Sequence, residues 1–442
     1  MAWTPEGFFA GDENLAKKTV HIVEGMSVMA IDQFFEVYYR PDLVAAKIRG
    51  EAISKFAQSD IRKGIKPPPS ITLSVLTKLG GYQSIQMVNK DDYAISNGFL
   101  KVKVTANDQG GGVYGVRLFN NEKIVGENLR GFIQVEKANV LEKVFTVALE
   151  RGDNQLRAIG FSNNLIESRP ELALVSYSPP VISKPDMYIL AIGINEYRNS
   201  RYNLNYCVAD MNGFVTTLKP KAEKLLNNVY VSTVSNREAN RENILKSLTE
   251  LQAKVKPEDL FVFFYAGHGI ALEVSEMDRK TRSEFYYILS DVVQMTDPVR
   301  VAENGLSGTE LRQILSEIKA TKQVMFIDAC YAGAITEQFA MRGAAEENAL
   351  ARLSRASGSV IFASTTADQA AVEFKELNHG VFTYVLLEAI RGAAATASGQ
   401  ITAGSIKTYV DEKIPDYTEK YRGTPQWPTT FMWGQDFPVG LK

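Results

Sequence analysis

Cysteine and histidine are scarce in this chain, with two Cys and three His among 442 residues. Two thiols are too few for a disulfide framework, so a reducing, cytoplasmic setting is expected. Three scattered histidines do not make a zinc site. Net charge is nearly absent too: 49 Lys and Arg stand against 51 Asp and Glu, a formal −2. That balance gives no electrostatic reason to expect nucleic acid or an anionic membrane as a partner. No apolar run approaches the roughly 20 residues of a membrane span, and the opening MAWTPEGFFAGDENLAKK lacks the apolar core of a signal peptide. The expectation is a soluble protein. A G-x-x-x-x-G-K-[ST] phosphate loop is also missing. Ordinary globular material is plentiful: 45% hydrophobic and 23% charged residues build full cores. The length predicts about two to three domains.

Three regions separate along the chain. Residues 1–66 mix short aromatic stretches with a helical pattern around IDQFFEVYYRPDLVAAKIRG, and IRKGIKPPPS then breaks the pattern with three consecutive prolines. This region reads as an N-terminal segment and linker. Residues 67–178 carry short alternating segments such as FLKVKVTAND, GVYGVRLFN and KVFTVALERGDNQLRAIGFS, punctuated by NG, NN, GG and GDN. That spacing predicts an antiparallel β-sandwich. After a second linker, VSYSPPVISKPD, residues 184–442 alternate strongly apolar strands with helical stretches such as RENILKSLTELQAK and GVFTYVLLEAIRG. Alternation of this kind predicts an α/β domain with a mostly parallel central sheet flanked by helices.

One glycine cluster needs separate treatment. Gly110, Gly112 and Gly115 in DQGGGVYGV satisfy G-x-G-x-x-G, which on a strand-to-helix turn would cradle a pyrophosphate. The following VRLFN and NEKIV read as strand and turn, so a glycine-rich hairpin loop is the better expectation.

The chemistry-bearing groups lie in two segments of the α/β region: FVFFYAGHG, residues 261–269, and KQVMFIDACYAG, residues 322–333. Each places one reactive side chain, His268 or Cys330, just past an apolar run long enough for a central strand. Ligand sites in open parallel sheets form at the strands' carboxyl ends. If the two strands are neighbours, an imidazole and a thiol open onto one crevice, and these are the groups a cysteine hydrolase needs. Cys330 would attack a scissile carbonyl as thiolate, and His268 would hold the proton and return it to the leaving amine. The N–H groups of Gly269 and Cys330 would form an oxyanion hole, whose donors are typically worth about 3 to 4 kcal/mol each.

Y-A-G-H-G followed by D-A-C-Y-A-G resembles the caspase-like cysteine peptidases, the clan of caspases, metacaspases and bacterial caspase homologues. MYILAIGINEY, NLNYCVADMNGF, GSVIFASTTADQAAVE and NHGVFTYVLLEAIRG fall in the family's order, so the likeness covers roughly residues 186–442. The nucleophile segment departs from the caspase pattern Q-A-C-[RQG]-G and is closer to the metacaspase and bacterial D-x-C-x-x-G. The resemblance implies a caspase-like peptidase domain hydrolysing peptide bonds of protein or peptide substrates. Asp210 stands where metacaspase-like members carry an acidic residue of the S1 pocket, and Leu204 stands about where caspases place the arginine that selects aspartate. Asp328, two positions before Cys330, points to the same side along an extended strand. A carboxylate beside a thiolate raises the thiol's pKa unless a cation answers it, and a substrate Arg or Lys would do so. Cleavage after Arg or Lys is therefore expected. The competing structural reading makes Asp210 a helix cap and Asp328 a loop tie.

Other residues receive bland readings alongside sharper ones. His379, in LNHGVFTY, competes with His268 as base, but its neighbourhood resembles a non-catalytic family position. His21 reads as surface or packing, and Cys207 as a small core residue. No cofactor or metal is expected; Asp291 and Asp297 would be the carboxylates for calcium if the resemblance extends to calcium-dependent metacaspases, though loop carboxylates are usually just solvated. Arg342, Arg352 and Arg355 lie in the long segment ITEQFAMRGAAEENALARLSRASG. That segment would serve as an autoprocessing site like the caspase intersubunit linker, while AAEENALARL, rich in good helix formers, reads rather as a surface helix.

Upstream, ANDQGGGVYGVRLFNNEKI and LERGDNQLRAIGFSNN resemble immunoglobulin-like modules of bacterial multidomain proteins. Such a module would dock a regulatory protein partner or act as a spacer. Two readings of function follow from different classes: an active endopeptidase using Cys330 and His268, or a caspase-fold scaffold whose site is latent. Both reactive residues are intact, which favours the enzyme.

Overall fold

The computed structural model describes residues 1–11, 20–24, 27–53, 60–87, 90–126, 139–178, 184–275, 281–331, 351, 354, 359–364, 373–374, 377–423, 425–432 and 436–442. The chain divides into two compact units, Met1–Pro180 and Val181–Lys442.

The first unit holds two antiparallel four-stranded sheets. One orders Val140–Ala148, Phe99–Asn107, Ser70–Leu76 and Tyr82–Ser84; the other orders Glu171–Tyr177, Gly152–Phe161, Gly115–Asn120 and Lys123–Ile124. Period-two alternation creates the core: Leu100, Val102, Val104 and Ala106 are buried and join Leu118, Leu156 and Val175 from the facing sheet. Residues 1–66, expected as a separate segment, belong to this same unit. Gln33 Nε2 donates to the Glu167 carbonyl at 2.7 Å, and Arg117 pairs with Glu36 at 2.8 Å. Partners so distant in sequence leave no local signal, so the triple proline looked like a boundary. The glycine-rich loop is also not a hairpin, because its flanking strands, Phe99–Asn107 and Gly115–Asn120, lie in different sheets. Asp108 Oδ1 accepts from the Gly110 and Gly112 N–H groups at 2.8 and 2.7 Å, and a methyl group on Gly111 would meet the Pro67 carbonyl at 2.2 Å.

The second unit is a three-layer α/β domain. Its sheet runs Val229–Ser235, Met187–Gly193, Leu260–Ser275, Lys322–Tyr331, Val360–Ala363 and Thr429–Phe431; the first five strands are parallel and the last antiparallel. Thr281–Tyr287 adds an antiparallel partner along the far half of Leu260–Ser275. The central strands are apolar on both sides because both faces are covered. Phe261, Phe263, Met325 and Ile327 pack with helices Arg241–Lys254 and Gly308–Glu317, through Ile244, Leu248, Leu311 and Leu315. Val262, Phe264, Val324 and Phe326 pack with Cys207–Ala222, Val381–Glu388 and Ala403–Arg422, through Phe214, Leu386 and Ile406. In chain order the strands lie 2-1-3-4-5, so the direction of winding reverses beside Leu260–Ser275. Open sheets place their ligand crevice outside the carboxyl ends at such a reversal. Among the described residues no helix is long and apolar enough to cross a membrane.

Candidate active site

His268 and Cys330 are directly opposed in the parallel ladder between Leu260–Ser275 and Lys322–Tyr331, one step beyond the pair Gly267 and Ala329. Adjacent strands lie about 4.8 Å apart, so the two main chains stand at one level. The Cys330 side chain is outside the described part of the structure; its backbone is within it. The pairing continues to Gly269 and Tyr331, and Gly269 also pairs with Tyr287 on its other side. Gly269 therefore sits inside two ladders.

Contacts on both its ring and its main chain hold His268, which is 8% exposed. Its Nε2 lies 2.8 Å from the Tyr202 carbonyl oxygen. A carbonyl can only accept, so Nε2 carries the hydrogen and the neutral ring keeps its lone pair on Nδ1. The His268 N–H donates to the Tyr197 hydroxyl oxygen at 2.9 Å, and the Tyr197 ring packs on the imidazole at 5.0 Å. The His268 carbonyl accepts from the Tyr265 hydroxyl at 2.6 Å and from the Ile288 N–H at 2.9 Å. Tyr265 is fully buried, its phenol pushed well above the usual range first by burial and then by its tyrosine neighbours, so it stays a neutral donor.

The supporting loop is stitched by asparagines. Asn195 Oδ1 accepts from the Val208 N–H at 3.1 Å, Asn203 Oδ1 from the Tyr197 N–H at 2.9 Å, and Asn236 Oδ1 from the Asn195 N–H at 2.9 Å. The glycines around His268 serve packing as well. A methyl on Gly267 would sit 2.8 Å from the Tyr265 hydroxyl and 2.9 Å from that of Tyr197; one on Gly269 would sit 2.5 Å from the Phe285 ring.

This clamp makes a direct prediction. Tyr197→Phe leaves the buried His268 N–H without its acceptor, a cost of about 1 to 3 kcal/mol. Thermal unfolding of the variant is expected a few degrees below the parent, and an unchanged melting temperature would show that Tyr197 carries no such load.

The two candidate pocket acids come together from distant parts of the chain. Asp210, 3% exposed on the first turn of Cys207–Ala222, and Asp328, 4% exposed, flank Gly380. A methyl on Gly380 would lie 2.8 Å from Asp328 Oδ2 and 3.4 Å from Asp210 Oδ2. Asp328 Oδ2 accepts from the Thr383 hydroxyl at 2.6 Å and its N–H at 3.2 Å, at the start of helix Val381–Glu388. Asp210 Oδ1 accepts from His379 Nδ1 at 2.7 Å, and the Gly380 N–H lies 3.3 Å from both its oxygens. Burial, reinforced by Asp328, pushes the Asp210 carboxyl up to about 7 against the lowering effect of His379. Both acids thus bond to residues 379–383, and they form one acidic cluster, with Asp328 on the strand that also carries Cys330.

The remaining candidates are placed as follows. Leu204 is half-buried and packs against both core clusters, and the Cys207 thiol is buried. His21 is exposed in the first unit. Asp297 caps helix Pro298–Asn304 through the Val299 N–H at 2.9 Å, while burial raises the Asp291 carboxyl. Among the described residues no group of three or more His, Cys, Asp or Glu is arranged to hold a metal. Arg342, Arg352 and Arg355 lie outside the described residues. Sequence reasoning missed Tyr197, Tyr265 and the Tyr202 carbonyl. The tyrosines of GINEY and YAGHG were visible as letters, but a main-chain acceptor has no sequence signature.

A family model described as the caspase domain matches residues 187–432. Among solved structures, the chain is similar to protein GSU0716 from Geobacter sulfurreducens, at 17% identity and a TM-score of 0.40, over 58% of this chain and 97% of that one. It is also similar to caspase-1 from Spodoptera frugiperda, at 12% identity and a TM-score of 0.37, over 61% and 96%. No curated protein matches the chain.

Proposed function

The chain belongs to the caspase-domain family, and from that premise we propose that it is a cysteine endopeptidase whose nucleophile is Cys330 and whose proton carrier is His268. The observation that carries this reading is the register that sets the two residues opposite each other at the carboxyl ends of adjacent parallel strands. In the first step the Cys330 sulfur bonds to the scissile carbonyl carbon, and the proton it loses goes to His268 Nδ1. That proton then passes to the leaving amine as the C–N bond breaks. Water, deprotonated by the same ring, releases the acid and restores the thiol.

The Tyr202 carbonyl supports this assignment by holding the Nε2 hydrogen, which keeps the basic nitrogen on the other side of the ring. The N–H groups of Gly269 and Cys330 are the proposed oxyanion donors. Because the ladder runs on to Gly269 and Tyr331, that use requires the last rung to open as substrate enters. Asp210 and Asp328 form the proposed pocket for a P1 Arg or Lys. A planar guanidinium, with five donors, can bridge two carboxylates where an ammonium is a single point charge. The proposed setting is the reducing cytoplasm, where a thiolate nucleophile survives.

Proteolysis of an unstructured protein by the wild type, with cut sites sequenced and Cys330→Ala as control, tests the reading. Cuts after Arg or Lys that vanish in the variant are expected; cuts after Asp would refute the acidic pocket. The same preparations test self-processing at Arg342, Arg352 or Arg355. Fragment masses ending at one of these residues are expected from the wild type alone, and intact chains after prolonged incubation would remove that part of the proposal.

A further inference from the structure

His379 has no part in the proposed peptide cleavage, yet it occupies a built seat. Asp210 and Gly213 lie three residues apart on one face of helix Cys207–Ala222. Asp210 holds Nδ1 of the ring at 2.7 Å, and the glycine at 213 lets the ring lie close to the helix, since a methyl there would stand a tight 3.0 Å from Cε1. The imidazole is 20% exposed while the carboxylate beneath it is 4% exposed, so the ring is the member of the pair that meets water. We infer that His379 is a positioning residue for specificity: it keeps Asp210 ionised and aimed, so that selection of a basic P1 side chain depends on it. This rests on the reading of Asp210 and Asp328 as the P1 pocket.

Two buried carboxylates flanking one glycine oppose each other's ionisation. Asp328 accepts from the Thr383 N–H and hydroxyl. Asp210 has the weak Gly380 contacts and the imidazole. Among the described residues, the titratable groups acting on Asp210 are His379 from the hairpin Glu373–Phe374 and His379–Gly380 and Asp328 from strand Lys322–Tyr331; helix Val381–Glu388 turns the uncharged Thr383 toward this cluster. Neutral or protonated, the ring favours the carboxylate over the acid, by a hydrogen bond in the first case and by charge as well in the second. The opposing effects of burial and His379 leave the Asp210 carboxyl at about 7. Without the ring that midpoint moves higher, Asp210 is protonated at neutral pH, and a P1 guanidinium finds one carboxylate instead of two.

The test uses the full chain carrying Cys330→Ala, which cannot acylate, and fluorescent peptides that differ only in P1 Arg or its uncharged isostere citrulline. The ratio of their Kd values is followed from acid to alkaline pH. With His379 in place, preference for Arg is expected to rise with pH through about neutrality. In His379→Ala the rise is displaced to higher pH, so preference at neutral pH drops about fivefold for the first unit of displacement and about tenfold for each further one, returns in alkali, and is restored at neutral pH by added imidazole. His379→Gln, which keeps a donor without a charge, is expected to fall between the two and covers the case in which the alanine variant does not fold. An unchanged ratio at neutral pH overturns the inference, as does a loss equal at every pH and insensitive to imidazole. Absence of any Arg preference with His379 present instead overturns the pocket reading, and the inference with it.

Discussion

Replacing Cys330 with Ala is expected to reduce peptide hydrolysis to the rate in buffer, and replacing His268 with Ala to do nearly the same. Losses on the order of 10⁴-fold or more in kcat are usual when a nucleophile or its base is removed. The double variant should lose little beyond either single one, because a base without its nucleophile has nothing to activate. The geometry motivates both expectations. The backbones of the two residues are register partners, and the Tyr202 carbonyl fixes the tautomer that leaves Nδ1 basic. A peptidyl electrophile that alkylates thiolates should label wild-type protein at Cys330 and label His268→Ala far more slowly, since the ring lowers the thiol pKa only when present. Equal hydrolysis by wild type and Cys330→Ala would end the peptidase reading and leave a caspase-fold scaffold.

The strands that carry these residues were legible because a strand buried on both faces must be apolar throughout. VFFY and VMFI could be little else between polar helical stretches. Scarcity also helped: with three His and two Cys in the chain, few assignments competed. Adjacency was harder to read. Nothing local says that Leu260–Ser275 pairs with Lys322–Tyr331, or that position 268 meets 330 and not 328; that follows from strand order and register. The same limit hid the seat of His379. Its partner Asp210 is 169 residues away, and the role of Gly213 shows only when the imidazole stands against it. The glycines of YAGHG make room for Tyr197, Tyr265 and Phe285, which the letters alone do not reveal. A glycine in a sequence reports that something comes close, not what it is.

Specificity should collapse when the acidic cluster is neutralised. Asp328→Asn and Asp210→Asn keep the shape of each side chain, and an asparagine oxygen can still accept from Thr383 or Gly380. Loss of charge therefore dominates over loss of fold. Removing one partner of a buried charge pair typically costs about 2 to 5 kcal/mol, so kcat/KM for a P1 Arg peptide is expected to fall by about 30-fold to several thousand-fold while a citrulline peptide changes little. The double variant should lose less than the sum, because both carboxylates act on one cation.

Stability separates this outcome from a purely structural role. Burial pushes the Asp210 carboxyl up to about 7 from an ordinary value of 3.8, so the folded state holds its proton more tightly than the unfolded chain. Its contribution is fully present below the lower value and is lost as pH rises through the higher one. Asp210→Asn removes that loss. The melting temperature of the variant should therefore gain on the wild type between about pH 4 and 7 and hold the gain above. A variant that melts lower at every pH and still prefers Arg would make Asp210 a tie for residues 379–380 and nothing more.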